Sequence, residues 1–148
     1  MPDSDVIKIL SEDSQSVQSH LGIMQGVIER MATNSASCKS WCITLVSAIL
    51  VVVADKGKPE YALIAMIPVI LFMALDTYYL AMERSFRATY NIFVKKLHEG
   101  SLAASDLYSV RLQGSMSKHQ IDSLKSFSIW GFYITLGLMV MLTKFFIL

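Results

Sequence analysis

Asp76 and the charged and aromatic residues that follow it at helical spacing are the side chains best placed to do chemistry in this sequence. On a helix, Asp76, Tyr79, Glu83, Arg87 and Tyr90 share one face. Asp76 also interrupts an otherwise uncharged run between Glu60 and Glu83. An ionised carboxylate in such a run is costly against acyl chains, so it must face protein or water. Three chemistries are open to the set: inter-helix ion pairs that fix register, a charged lining or gate on an aqueous path, and proton coupling. Arg30 and Lys39 are the upstream cations available as partners.

Other constellations offer less. Cys38 and Cys42 are four apart on one helix face, where the spacing permits a disulfide but a cytoplasmic location disfavours it. No histidine lies near them in sequence, so they read as small, soft packing residues and not as a metal site. His20, His98 and His119 are scattered and form no HExxH, CxxC or nucleophile–base pattern. No arginine is followed by histidine after four to six residues, and there is no Walker A loop or GxGxxG. Gly131 and Gly137 are too far apart for GxxxG packing in their segment. The expectation is a non-enzymatic chain without metal or cofactor. Arg84, Arg87, Lys95 and Lys96 form a basic cluster that suits orientation and anionic lipid, with RNA or nucleotide contact as the alternative.

The elements that must position these residues follow from composition. Of 148 residues, 53% are hydrophobic and 17% charged, with a net charge of +1; a soluble domain carries about 25% charged residues. The near-neutral balance makes a dedicated nucleic-acid binder unlikely as a class. The apolar excess collects in Ser40–Ala54, Tyr61–Leu75 running on to Met82, and Ser126–Thr143 running on to Leu148. A spanning helix needs about 20 apolar residues. The third block meets this outright. The first is extended by uncharged Ser35–Cys38 and a Lys39 able to snorkel, and the second continues past Asp76 to Met82. Three transmembrane helices are therefore predicted, in an all-α membrane protein.

Residues 1–20 are acidic and lack the apolar core of a secretory signal. Ten of the cations, including Arg111, Lys118 and Lys125, lie before span one or between spans two and three. Only Lys56, Lys58 and Lys144 fall on the other side, so the N-terminus is expected in the cytoplasm. The expected divisions are a flexible N-terminus (1–13), a cytoplasmic helix continuing into span one (14–54), and span two continuing into a cytoplasmic helix (59–99). A cytoplasmic connector (100–117) and span three (118–148) complete the chain.

Helix one carries a heptad seam: Val17, Leu21, Met24, Ile28, Met31, Ser35, Cys38, Cys42, Leu45, Ile49 and Val52. Pro59 is placed to start helix two, Pro68 to kink it, and Gly100 to end it after Leu75, Tyr79, Met82, Phe86, Tyr90, Phe93 and Leu97. Ser101–Gln113 reads as a short helix ending at Gly114, and Ser117–Gln120 as the capping box of the third long helix. The tight turn Asp55–Glu60 makes helices one and two antiparallel, so residues whose numbers add to about 115 lie level. Lys39 then faces Asp76, Arg30 lies near Glu83, and Glu29 near Arg87. Three helices alone are not expected to bury Asp76 and a full seam, whereas subunits in a closed ring would.

Two segments carry a family resemblance. One is Ile28-Glu-Arg-Met-Ala-Thr-Asn-Ser35 with Lys39-Ser-Trp41 and Thr44-Leu-Val-Ser-Ala48. The other is Leu75-Asp-Thr-Tyr-Tyr-Leu-Ala-Met-Glu-Arg-Ser-Phe-Arg87 with Tyr90. Together, over about 65 residues, they resemble the RipA family of octameric bacterial membrane proteins. In layout the chain is similar to the CRISPR type VI-B accessory membrane protein and to SLATT anti-phage effectors, from which the third span departs. The resemblance implies a ring-like homo-oligomer, an octamer in that family, acting as an anti-phage or stress-response effector that permeabilises the membrane. The expected function is thus an oligomeric pore or channel in the bacterial inner membrane. Its partners would be lipid and further copies of itself, with Asp76, Glu83, Arg87 and Tyr79 at a gate and Arg30 and Lys39 as pairing partners. The alternative is a non-conducting scaffold that recruits a cytoplasmic protein through residues 100–126; a holin fits poorly, given the long middle segment.

Overall fold

The computed structural model describes residues 10–110 and 116–146. Four α-helices follow in chain order: α1, Gln15–Lys56; α2, Met66–His98; α3, Met116–Leu124; and α4, Phe127–Phe146. A 3₁₀ segment, Pro59–Ala65, leads into α2, and a 3₁₀ turn, Ala104–Asp106, lies between α2 and α3. No strand occurs among the described residues. The protein is all-helical, and the stretches Gln15–Lys56, Pro59–His98 and Phe127–Phe145 are long and apolar enough to cross a membrane. Residues 1–9 of the expected N-terminal tail, Arg111, the expected helix end at Gln113 and Gly114, and Ile147-Leu148 lie outside the described residues.

α1 begins after Ser14, whose extended backbone turns its carbonyl onto the N–H groups of Val17 and Gln18 at 3.0 and 3.1 Å. It runs 42 residues, about 63 Å, and stops at Gly57. That residue sits in the left-handed region at φ 60° and returns its N–H to the Ala54 carbonyl. Only glycine enters this conformation without steric cost, so the antiparallel turn is set by Gly57 before Pro59 contributes.

The buried stripe of α1 is Val17, His20, Met24, Met31, Ser35, Cys38, Cys42, Val46 and Val53. It follows the expected seam as far as Cys42 and then steps by one residue, leaving Leu45 and Val52 exposed. The cause is the helix itself: at 3.6 residues per turn, a strict seven-residue pattern drifts about 20° per heptad. α2 departs further from its expected pattern. Leu75 is exposed, and the face of α2 that is fully covered carries Asp76, Ala81, Ser85 and Thr89. Small side chains let two helices approach closely, and Met24 of α1 supplies bulk where it clusters with Phe93.

Pro68 does not kink the middle of a helix. The backbone changes pitch from 3₁₀ to α at Ala65–Met66, so Pro68 falls in the first turn of α2, where its missing N–H leaves no intrahelical bond unmade. The third long helix is divided instead of continuous. α3 ends at Leu124, Lys125 and Ser126 form a break, and Ser126 accepts from the N–H groups of Ile129 and Trp130 to open α4. α4 packs on α2 and the 3₁₀ segment, burying Ile129, Tyr133 and Val140 against Cys42, Val46, Ala65 and Val69.

The expected helix over Ser101–Gln113 is replaced, in its described part, by a strap whose one helical element is the 3₁₀ turn Ala104–Asp106. Gly100 ends α2 at φ 66°, Leu107 is extended, and Tyr108 is left-handed at φ 57°. Leu102 is pinned in a second apolar cluster with Val17, Met24 and Phe93, edged by Leu97, Leu107 and Val110. Burying these apolar groups offsets the lost helical bonds. Replacing Phe93, which is both in this cluster and against the His20 ring at 4.5 Å, tests the assignment. Phe93→Ala is expected to cost about 3–5 kcal/mol locally, read by hydrogen exchange as lost protection in residues 17–24 and 101–107 with α4 unchanged.

Candidate functional site

Asp76 is completely buried, and its partners come from its own chain. Lys39 Nζ lies 2.5 Å from Oδ2, and Ser35 Oγ donates to Oδ1. Ser35 and Lys39 are one turn apart on α1, so they reach the carboxylate from two levels. From α4, Tyr133 donates its hydroxyl to the Phe72 carbonyl at 3.2 Å, one turn before Asp76 on α2. The adjoining Cys38 and Cys42 are free and buried, and the Cys42 thiol donates to the Pro68 carbonyl at 3.7 Å. Contrary to expectation, Asp76 needs no neighbouring chain for cover: α1, α2 and α4 of one chain seal it. The reason is the close approach of α1 and α2, which brings the Lys39 stem and Ser35 over the carboxylate.

The remaining expected residues separate from this cluster. Glu83 pairs with Arg87 on its own helix at 2.7 Å rather than with Arg30, because an i, i+4 pair on one helix needs no reach across the interface. Arg30 is exposed, as is Glu29, and neither has an ion pair with another described residue. Glu29 and Arg87 instead face a common groove with Gln25 and Tyr90, where Gln25 Nε2 donates to the Tyr90 hydroxyl at 3.2 Å. Tyr79 is half-buried and lies edge-on to Tyr78. Of the basic cluster, Lys95 lies 3.7 Å from Glu99 and Lys96 2.9 Å from Asp106. Among the described residues no group of three His, Cys, Asp or Glu side chains is placed to hold a metal ion.

A second feature escaped the pattern search. Thr33, Ser37, Ser40, Thr44 and Ser47 repeat at gaps of four and three along α1, and all five are exposed. At 100° per residue they form one stripe on the side away from Cys38 and Cys42. Ser40 and Thr44 return their hydroxyls to the carbonyls of Ala36 and Ser40. Toward the N-terminus the same side carries exposed Glu29 and then Gly26 and Gly22, a GxxxG pair where an added Cβ would meet nothing within 4 Å. The search for large apolar repeats passed over it, since its signal is small and polar side chains at the same period.

Lys39 and Asp76 can be separated from the rest of the fold by substitution. Removing one buried partner strands the other, at a typical cost of 3–5 kcal/mol, whereas replacing both by apolar groups is often neutral or stabilising. Asp76→Ala is therefore expected to reduce resistance to unfolding in an SDS–detergent titration by an amount of that order. Lys39→Met with Asp76→Leu should recover most of it. Failure of the double variant to recover would indicate that the charges themselves are needed.

Comparison of the chain with protein-family models, curated proteins and solved structures finds no match.

Proposed function

We propose that the chain is the subunit of an oligomeric pore in the bacterial inner membrane, with its N-terminus in the cytoplasm and α1 toward the central axis. The observation that carries this is the hydroxyl stripe of Thr33, Ser37, Ser40, Thr44 and Ser47, exposed along a helix long and apolar enough to cross a membrane. Acyl chains offer such a row nothing beyond its own backbone bonds. Around an axis it supplies successive rings of hydroxyls that replace part of an ion's hydration. Asp76 and Lys39 in this reading hold α1 against α2 and stay out of the path. The distribution of Lys and Arg supports the orientation, and the resemblance to ring-forming effectors supports a role in anti-phage or stress-response permeabilisation.

The exposed side chains of Ile121, Leu124 and Phe127 near the α3–α4 break favour the second reading, a scaffold that presents this segment to a cytoplasmic protein. Cysteine scanning in proteoliposomes decides between them. In a background with Cys38 and Cys42 replaced by Ala, Ser37→Cys, Ser40→Cys and Thr44→Cys are expected to react with a membrane-impermeant thiol reagent and to lose ion flux on reaction. Leu45→Cys, on the side that meets lipid, should do neither. An oligomer with no flux and no labelling at the three positions would leave the scaffold reading standing and sink the pore.

A further inference from the structure

The cytoplasmic end of the molecule holds a titratable group that the pore does not use. His20 lies on α1 with 1% of its surface exposed, and its Nδ1 accepts the Tyr108 N–H at 3.0 Å. An acceptor at Nδ1 places the ring's proton on Nε2, so this bond exists only for the neutral imidazole. The ring leans on Phe93 of α2 at 4.5 Å and lies edge-on to the Tyr108 ring at 6.1 Å. Tyr108 itself stands at φ 57°, a conformation that a bulky residue holds only when its surroundings impose it. His20 is thus the α1 anchor of a strained segment. That segment is the covalent link between α2 and the α3–α4 pair, and it roofs a cavity of about 360 Å³ over His20, Phe93 and Lys96.

We propose that the strap of residues 101–110 is a pH-sensitive latch: protonation of His20 breaks its bond to Tyr108 and releases the strap from the α1–α2 pair. An imidazolium has no acceptor, so Nδ1–H and the Tyr108 N–H would oppose each other across 3.0 Å. Tyr108 then loses the contact that holds its backbone in the left-handed region.

The charged groups around His20 set the direction. From α2, Lys96 lines the same cavity and opposes a second positive charge. From the strap, Asp106 favours the imidazolium, but its Oδ1 is taken by Lys96 and its Oδ2 by the Ala103 N–H. Those two contacts hold the Asp106 carboxyl below its usual range, so it stays ionised as His20 titrates. Burial outweighs the Asp106 carboxylate and lowers the His20 pKa from its ordinary 6.5. A base whose pKa is lowered on latching stabilises the latched state above pH 6.5, and this contribution is lost as pH falls below that value. The other histidine near the root of the strap, His98, is exposed and lies 3.6 Å from Glu12; it has no contact with Tyr108 among the described hydrogen bonds.

Hydrogen exchange of the detergent-solubilised full chain, corrected for the intrinsic pH dependence of amide exchange, reads the latch directly. Protection of Leu107–Ser109 is expected to fall by up to about 30-fold between pH 7.5 and 5.0, the limit set by an unlatched imidazole of pKa 6.5. His20→Asn keeps a carbonyl acceptor near Nδ1 without a titrating group and should hold protection flat over that range, while His98→Gln should leave the wild-type response intact. The His20 ring signal, followed by NMR in the wild type, should titrate below 6.5, together with the loss of protection. Flat protection in the wild type, or a response that survives in His20→Asn, overturns the proposal. Neither outcome bears on whether the α1 stripe conducts.

Discussion

The pairing of Asp76 with Lys39 and Ser35 is the constraint from which the arrangement of α1 and α2 follows. A buried carboxylate that loses its cation is worse than no carboxylate at all, so any packing that leaves Asp76 unpaired is disfavoured. α1 offers a cation and a hydroxyl one turn apart on its buried face. One depth and one rotation of α1 satisfy both oxygens. A slip of one turn, about 5.4 Å, would withdraw Lys39. The Gln25–Tyr90 bond obeys the same register about 21 Å further along α1. Asp76 thereby determines which groups meet at the end of the pair that holds the N-terminus of α1, including His20 and Phe93.

Much of this was legible in the chain, and the parts that were not share physical reasons. Equal depth for Lys39 and Asp76 followed from the short turn at Gly57 and the rise of an α-helix. The three apolar stretches followed from length and hydropathy. The seam beyond Cys42 slipped because a heptad template was laid on a straight helix, which repeats every 3.6 residues. The contact face of α2 was misplaced because large side chains were sought where Ala81, Ser85 and Thr89 make the close approach. Ser35 was placed on the seam but not recognised as a ligand of Asp76, although its spacing from Lys39 carried that information. Tyr133 required knowing how α4 docks, which no local pattern encodes. The strap lost to tertiary contacts: burying Leu102 and binding His20 outweigh the helix propensity of Ser101–Val110.

The two ends of the α1–α2 pair are held by different forces. Where the helices are apolar all round, lipid is as apolar as leucine, and contact is stabilised by close packing and polar pairing. Cys38, Cys42 and Ala65 supply the first, and Asp76 with its partners the second. At the other end Val17, Met24, Phe93 and Leu102 are removed from water, and the hydrophobic effect acts in the ordinary way. Asp76 lies between these regimes, where Lys39 keeps about a fifth of its side-chain surface exposed. A substitution in either half should therefore be felt first in that half, since each is stabilised by contacts the other lacks.

Two sets of polar groups in the chain contrast, and the contrast is informative. Asp76, Ser35, Tyr133 and His20 are buried and bonded to the chain itself. The hydroxyls from Thr33 to Ser47 are exposed, and those with described bonds return them only to their own helix. Gly22 and Gly26 lie on the same side with open space around them and ordinary helical backbone. A glycine in a helix interior costs about 0.8–1.0 kcal/mol relative to alanine, and no contact among the described residues compensates it. In the apolar half the stripe carries hydroxyls for which lipid offers no partner, and toward the N-terminus its glycines are poor helix formers. The proposed assembly, with a second α1 across an axis, would account for both at once: glycines where the backbones would approach, hydroxyls where the helices would enclose a path.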